Sequence, residues 1–464
     1  MPDLFVLSDD VVGEKMAGPG IRAWEMTKAL SRRFEVALAV PEYSPGGRGS
    51  DFFRNAPFDV MFYSVRDPSG VKSLAERSRL LLVQGYILSK FPILKKLGRP
   101  VIADIYDPFV LENLFVHQRK ITDLRDREAV HLHDLRVFND LVLQGDHFLC
   151  ASERQKDLFL GSLLSLNRIS PRSLEDRPAI EDLVSVVPFG IAADEDDETE
   201  ADGFRRKFPK IAEGDVVLLW GGVISNWFDP ISLIRAFAEA IREDRRLKLV
   251  FMSTTHPNPR LPVFEVAEEA KRLAAELKLL DDTVFFHNDW VEYEKRASFF
   301  RRANIGVSIH ELHFETRFSF RTRMLDYIKY GLPVLCTEGD YFAGLVAAEK
   351  LGEVVGEKDI PGIQRAILAL AADPERRADI KKKMEPLKSA FAWDRVVEPL
   401  IRYCEKILSG SIKLGLRPPR RDVIAACSGV PRSPVREWLK RRFWPRSGKW
   451  KLKTMAKIRR HLRF

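Results

Sequence analysis

Short apolar runs alternate with longer segments of helical period along nearly the whole chain, and this alternation leaves few folds open. Leu4–Leu7, Val36–Val40, Val60–Tyr63, Leu80–Val83, Val101–Ile105 and Phe148–Cys150 read as strands; helical patterns intervene at Ile21–Arg33, Ile87–Leu97, Ile121–Leu143 and Glu153–Leu166. Near-continuous apolar strands separated by helices predict βαβ units and a parallel sheet covered on both faces. A polar, Pro-bearing stretch at 167–182 interrupts the series, after which Val184–Ile191 leads into an acidic loop, Asp194–Asp202. A second series then begins, with strands at Asp215–Gly222, Lys248–Met252, Thr283–Phe286, Ile305–Ile309, Pro333–Thr337 and Glu353–Val355 and helices at Pro361–Ala372 and Glu375–Phe391. The expectation is an α/β protein of two doubly wound, Rossmann-like domains. Each binds ligands outside the carboxyl ends of its strands, so the two face one cleft. A last core helix, Trp393 to Leu408, carries Val396, Val397, Leu400, Ile401, Cys404 and Leu408 on one stripe.

The 464 residues exclude a single small module. Cys150, Cys336, Cys404 and Cys427 lie far apart, which suggests neither a disulfide framework nor a zinc knuckle and points to a reducing, cytoplasmic setting. The N-terminus reads as a first strand without signal-peptide character, and no apolar stretch is long enough for a spanning helix. The net charge of +9 is unevenly placed: residues 411–464 hold 17 Lys/Arg against two acids, so the rest of the chain is mildly acidic. Within this tail, Val435, Trp438, Leu439 and Phe443 share one side of a short basic helix, a pattern suited to an anionic membrane surface. Nucleic acid would use the same charges and ranks below the membrane; a solvated tail is the plain alternative.

Three loops carry chemistry. After the first strand come Gly13 and then Gly18-Pro19-Gly20-Ile21-Arg22, entering a helix. Gly18 and Gly20 are compatible with a tight turn or with a ligand loop at a helix N-terminus. Arg22 favours the ligand loop, because a cation in a first helical turn opposes the dipole unless an anion is near. After the first strand of the second domain, Gly222, Asn226 and Trp227 either hold a ligand by backbone contact and stacking or cover the sheet edge. Asp229 and Pro230 start the next helix. The third loop runs from His310 to Pro333. Ser319 is placed to cap a helix that Gly331 ends, with Arg321 and Arg323 in its first turn and Arg317 before it. Three guanidiniums at a positive helix end suit a diphosphate; the alternative is an ion-pair network with Glu311 and Glu315. His131, His133, His310 and His313 lack a convincing metal-ligand spacing, so no metal is expected. Serine-elbow and Walker patterns are absent.

These residues, with Val187-Pro188-Phe189-Gly190-Ile191 and Gly331-Leu332-Pro333-Val334, resemble the GT-B-fold glycosyltransferases of the large retaining glycosyltransferase family 4 over about residues 1 to 408. The resemblance implies an acceptor domain at 1–182, a nucleotide-sugar domain at 183–390 and a crossover helix at 391–410 packing back on the first domain, followed by the tail at 411–464. It implies a nucleoside-diphosphate sugar as donor substrate, no separate cofactor, a glycan or lipid-linked acceptor, and work on bacterial surface polysaccharide at the inner face of the plasma membrane. The family's usual pair of glutamates is altered: the second falls on Asp326, a candidate for a ribose hydroxyl, and the first on Phe318, with Glu315 the nearest substitute. The family's Arg and Lys after the first strand of the second domain are replaced by Ser225, Asn226 and Trp227, which shifts diphosphate binding to Arg321 and Arg323. Where a histidine often lines the family's acceptor pocket, this chain has Asp107. A sugar-nucleotide epimerase and a non-catalytic binding protein derived from an inactive transferase are the competing readings.

Overall fold

The computed structural model describes residues 2–116, 118, 121–176, 183–193, 203–259, 261 and 264–412. Strands β1 (Leu4–Leu7), β2 (Val36–Pro41), β3 (Asp59–Tyr63), β4 (Leu80–Gln84), β5 (Val101–Asp104), β6 (His147–Cys150) and β7 (Val184–Val186) form one parallel sheet in the order β3-β2-β1-β4-β5-β6-β7. A second parallel sheet holds β8 (Val216–Val223), β9 (Leu247–Ser253), β10 (Val284–Phe286), β11 (Ile305–Ser308), β12 (Val334–Thr337) and β13 (Gly352–Val355) in the order β10-β9-β8-β11-β12-β13. Leu4 to Leu7 are wholly buried, as are Leu80 to Val83, because central strands with helices on both faces must be apolar throughout. β7 lies past the expected boundary at residue 182 and still pairs with β6, so the chain leaves the first sheet at 187–191.

The strand order reverses between β1 and β4 in the first sheet and between β8 and β11 in the second. These are the positions where open parallel sheets leave a crevice. Helix α1 (Gly18–Leu30) follows β1 and starts three residues before the predicted Ile21, since Pro19 is pre-set for a first turn. Helix α2 (Phe109–Val116), which periodicity did not reveal, follows β5. Helix α3 (Pro230–Glu243) follows β8, with Asp229 accepting from Ser232 N at 2.9 Å as its cap.

Helix α4 (Arg323–Tyr330) is shorter than expected. The Ser319 hydroxyl turns to the Thr316 carbonyl at 3.0 Å instead of capping, and the helix begins after Thr322, whose side chain makes no cap bond. Arg321 therefore precedes the helix and Arg323 alone, of the two, occupies its first turn. The other end closes on Gly331 at φ +68°, a left-handed conformation that glycine adopts without strain.

Helix α5 (Tyr341–Glu349) follows β12 and is capped by Asp340. The chain returns at α6 (Trp393–Val396) and α7 (Glu398–Leu408). Ile191 N donates to the Phe391 carbonyl at 2.7 Å, so the outward and return crossings run side by side. Tyr403 of α7 stacks on His147 of β6 with centroids 3.7 Å apart, packing that helix on the first domain. Cys150, Cys336 and Cys404 are buried free thiols, while Cys427 and the tail residues assigned to membrane contact lie outside the described residues. Among the described residues, no helix is long and apolar enough to cross a membrane.

Candidate functional site

Both switch-point crevices open onto the space between the domains, and loops from both sheets meet there. The loop after β1 is held against the second domain: Tyr293 N donates to the Glu14 carbonyl at 2.7 Å and Asn258 Nδ2 to Asp10 Oδ1 at 2.5 Å. Burial pushes Asp10 up to about 6. A Cβ added at Gly18 would stand 3.7 Å from Thr322 Oγ1, which brings the N-termini of α1 and α4 face to face. Helix N-termini of this kind favour anions.

Arg323 is the cation at that point. Its Nη2 donates to the Val223 carbonyl at 3.0 Å, and the guanidinium lies over the rings of Phe228 at 4.1 Å and Trp220 at 4.9 Å. Its Nη1 is buried without a hydrogen-bond partner, and no carboxylate among the described residues lies within ion-pair distance. Burial lowers its pKa to about 10. A guanidinium N–H enclosed without a partner is costly unless a ligand completes it.

Arg321 is different, which corrects one expectation. Its Nη2 donates to Glu315 Oε2 at 2.7 Å, and its Nε lies 4.0 Å from Asp340 Oδ2. The ion-pair alternative thus holds for Arg321, while Glu311 pairs with Lys358 at 3.1 Å.

Around Arg321 the two domains gather carboxyl groups. Asp107 follows β5 and is hydrogen-bonded to Glu112 of α2. Asp107 is raised to about 6 by burial and by the charge of Glu315, against the pull of Arg321. Burial and the charges of Asp107 and Glu315 push Glu112 well above the usual carboxylate range. Burial also raises Asp340 to about 6, although its Oδ1 accepts from Ala343 N at 2.7 Å. His313 stacks on Phe115 of α2 at 3.8 Å, with Nδ1 3.7 Å from Glu315 Oε2. Burial and then Arg321 push His310 down to about 3, so it is neutral. Among the described residues, no group of three or more His, Cys, Asp or Glu is placed to hold a metal ion.

Several expected ligands have other work. Arg22 is fully buried and spends its guanidinium on Asp104 and the Pro188 carbonyl, so it offers nothing to an anion. Gly20 packs rather than binds, since a Cβ there would stand 2.0 Å from the Val11 carbonyl oxygen. Arg317 is exposed, apart from the buried Arg321 and the half-buried Arg323. Asp326 accepts from Arg296 Nη1 at 3.1 Å, and Arg296 in turn lies over Tyr293, whose hydroxyl donates to Glu25 of α1 at 2.9 Å. Gly222, at φ +85°, has open space where a side chain would go. Asn226 Nδ2 reaches the Val116 carbonyl at 3.4 Å across the cleft, leaving Oδ1 buried and unpartnered; the Trp227 indole N–H is also unpartnered. A cavity of about 320 Å³ lies at the carboxyl end of β10, lined by Lys15, Arg206, Lys207, His287, Trp290 and Lys295 among others.

Sequence reasoning missed Glu112, Asp340 and Arg296. Glu112 had a readable signal, being the single acid in the apolar run Phe-Val-Leu-Glu-Asn-Leu-Phe-Val just after Asp107-Pro108. Asp340 and Arg296 had none, because only the fold brings them to the loop.

Two parallel α/β domains with facing switch points give the GT-B architecture. Solved structures of this shape are similar to the chain over 88% of its length. Anabaena HepE in complex with UDP-glucose superposes with a TM-score of 0.62 at 13% identity, covering 88% of this chain and 100% of that one. Sucrose-phosphate synthase from Thermosynechococcus elongatus gives 0.58 at 14% identity over 88% and 99%. WaaG, a glycosyltransferase involved in lipopolysaccharide biosynthesis, gives 0.57 at 14% identity over 88% and 100%. The sequence matches no protein-family model and no curated protein. At these identities the likeness shows the fold.

Proposed function

We propose that the protein transfers a glycosyl group from a nucleoside-diphosphate sugar to a hydroxyl acceptor. The observation that carries this reading is Arg323: a half-buried, carboxylate-free guanidinium in the first turn of α4, with Nη1 enclosed and unpartnered, near the start of α1. Such a point stabilises the charge that develops on a departing diphosphate as the anomeric carbon becomes oxocarbenium-like. In the transfer, the bond from the anomeric carbon to the diphosphate oxygen breaks and one to the acceptor oxygen forms. The acceptor proton passes to Asp107 or to the departing phosphate. Glu112, its carboxyl raised by burial and by the charge of Asp107, lies beside Asp107 and keeps that group oriented.

HepE was solved with UDP and with UDP-glucose, which makes uridine nucleotides the first donors to test. The cavity beside Trp290, on the loop that carries Tyr293 and Arg296, offers room for the nucleoside. Retention of configuration and independence from metal belong to the same reading, as does a glycan or lipid-linked acceptor of the cell envelope. The basic tail supports peripheral attachment to an anionic membrane, to be tested by liposome co-sedimentation with and without residues 411–464.

A thermal-shift screen against nucleoside diphosphates and nucleotide sugars tests the donor. A ligand at a hundred times its Kd raises stability by roughly 2.7 kcal/mol and therefore raises Tm. Release of nucleoside diphosphate from the sugar nucleotide that scores highest then tests the chemistry.

A further inference from the structure

Arg22 lies in the first turn and a half of α1 and is wholly inaccessible to solvent. Its Nε and Nη2 donate to the two oxygens of Asp104 at 2.7 and 2.8 Å, and Nη1 donates to the Pro188 carbonyl at 3.1 Å. The guanidinium carbon stands 4.6 Å from the Tyr106 ring centroid and 5.1 Å from that of Phe189. Four parts of the molecule therefore converge on one side chain: α1, the end of β5, the turn that carries Asp107, and the crossing between domains.

Phe189 extends the connection. Its ring meets Tyr106 edge-on at 5.0 Å, stacks with Phe320 at 6.3 Å and touches Trp393 of the return crossing at 6.3 Å. Phe320 is the neighbour of Arg321, so packed rings join the Asp107 turn of one domain to the arginine loop of the other through the crossing. Stability alone does not account for this arginine. A buried ion pair is usually replaceable by apolar residues of similar volume at no loss, whereas its fixed fork of donors imposes one geometry.

We infer that Arg22 is a positioning residue, which sets the angle between the Asp107 turn and the interdomain crossing so that Asp107 meets Glu315 and Arg321. The inference rests on the cleft being the transfer site. It is tested with two variants, Arg22→Lys, which keeps the charge and loses the fork, and the apolar replacement Arg22→Met/Asp104→Leu, which keeps the volume. In at least one of them the expected result is a Tm within a few degrees of wild type, nucleotide Kd and donor KM within threefold, and kcat reduced thirtyfold or more. Small-angle scattering of the nucleotide-free protein should show a larger radius of gyration than wild type, as the domain angle is released. Wild-type kcat in both variants overturns the inference, as does a loss of kcat matched by equal losses in Tm and nucleotide Kd. If wild-type protein binds no nucleotide, the transferase reading fails on its own. An unchanged radius of gyration in the variants then overturns the positioning role independently.

Discussion

Arg321 Nη2 and Glu315 Oε2 lie 2.7 Å apart, and this pair separates two arginines that the sequence presents as equals. Arg321 is neutralised within its own loop. Arg323, two residues on, is given only a backbone carbonyl and two aromatic faces. On the proposed reading, a diphosphate would have to displace Glu315 to reach Arg321 but would meet Arg323 directly.

Replacing Arg323 by Met should therefore weaken nucleoside diphosphate binding by about 2–3 kcal/mol, roughly 30- to 150-fold, with folding stability within about 1 kcal/mol of wild type. Calorimetric Kd and the denaturant midpoint check the two halves.

Replacing Arg321 by Met should do the opposite. It leaves Glu315 buried beside Asp107 and Asp340 without its cation, and removing one partner of a buried pair costs about 3–5 kcal/mol. Denaturant unfolding should show a large drop in midpoint.

The raised carboxyl groups give a signed pH effect. Asp107 and Asp340 hold protons up to about pH 6 when folded, against ordinary values near 4. The folded state then binds more protons than the unfolded one across that window, so their contribution is fully present below pH 4 and is lost as pH rises through 6. Each is worth up to about 3 kcal/mol. Asp340→Asn keeps an oxygen for Ala343 N, and its stability relative to wild type should rise between pH 4 and pH 7. A pH-independent difference between the two proteins would contradict the assignment.

Activity should show the same groups from the other side. If Asp107 accepts the acceptor proton, kcat/KM falls below an apparent pKa near 6 that belongs to the Asp107–Glu112 pair, and Asp107→Asn abolishes that acid limb along with most of the rate.

The two glycines of the first loop should behave differently. Gly20→Ala drives a Cβ into the Val11 carbonyl and should cost several kcal/mol, roughly the scale of an overpacked core. Gly18→Ala has ordinary contact distances to Thr322 and Phe189, and should keep its Tm to within a few degrees.

The architecture was legible because buried parallel strands must be apolar along their whole length. Every strand of both sheets lies within one or two residues of an apolar run; β7 falls in the Val184–Ile191 stretch, and only pairing with β6 assigns it to the first sheet. The site was legible only as loops. Glycine spacing exposed the loop after β1, yet could not tell Gly18, at the cleft, from Gly20, held against Val11. A cation near a helix start pointed to an anion at Arg22 as at Arg323, yet the counter-charge of Arg22 is Asp104, 82 residues away in sequence. Periodicity overlooked α2 because an apolar helix has no polar face to alternate with, and Glu112 was overlooked with it.

The central claim is that Arg323 and the two helix ends beside it receive a nucleoside diphosphate. Titration calorimetry of UDP, GDP and dTDP into wild-type protein and the Arg323→Met variant tests it most directly. The account predicts saturable binding of at least one of them to wild type, and at least thirtyfold weaker binding to the variant. Equal affinity in the two proteins, or no binding of any of the three to wild type, would contradict it.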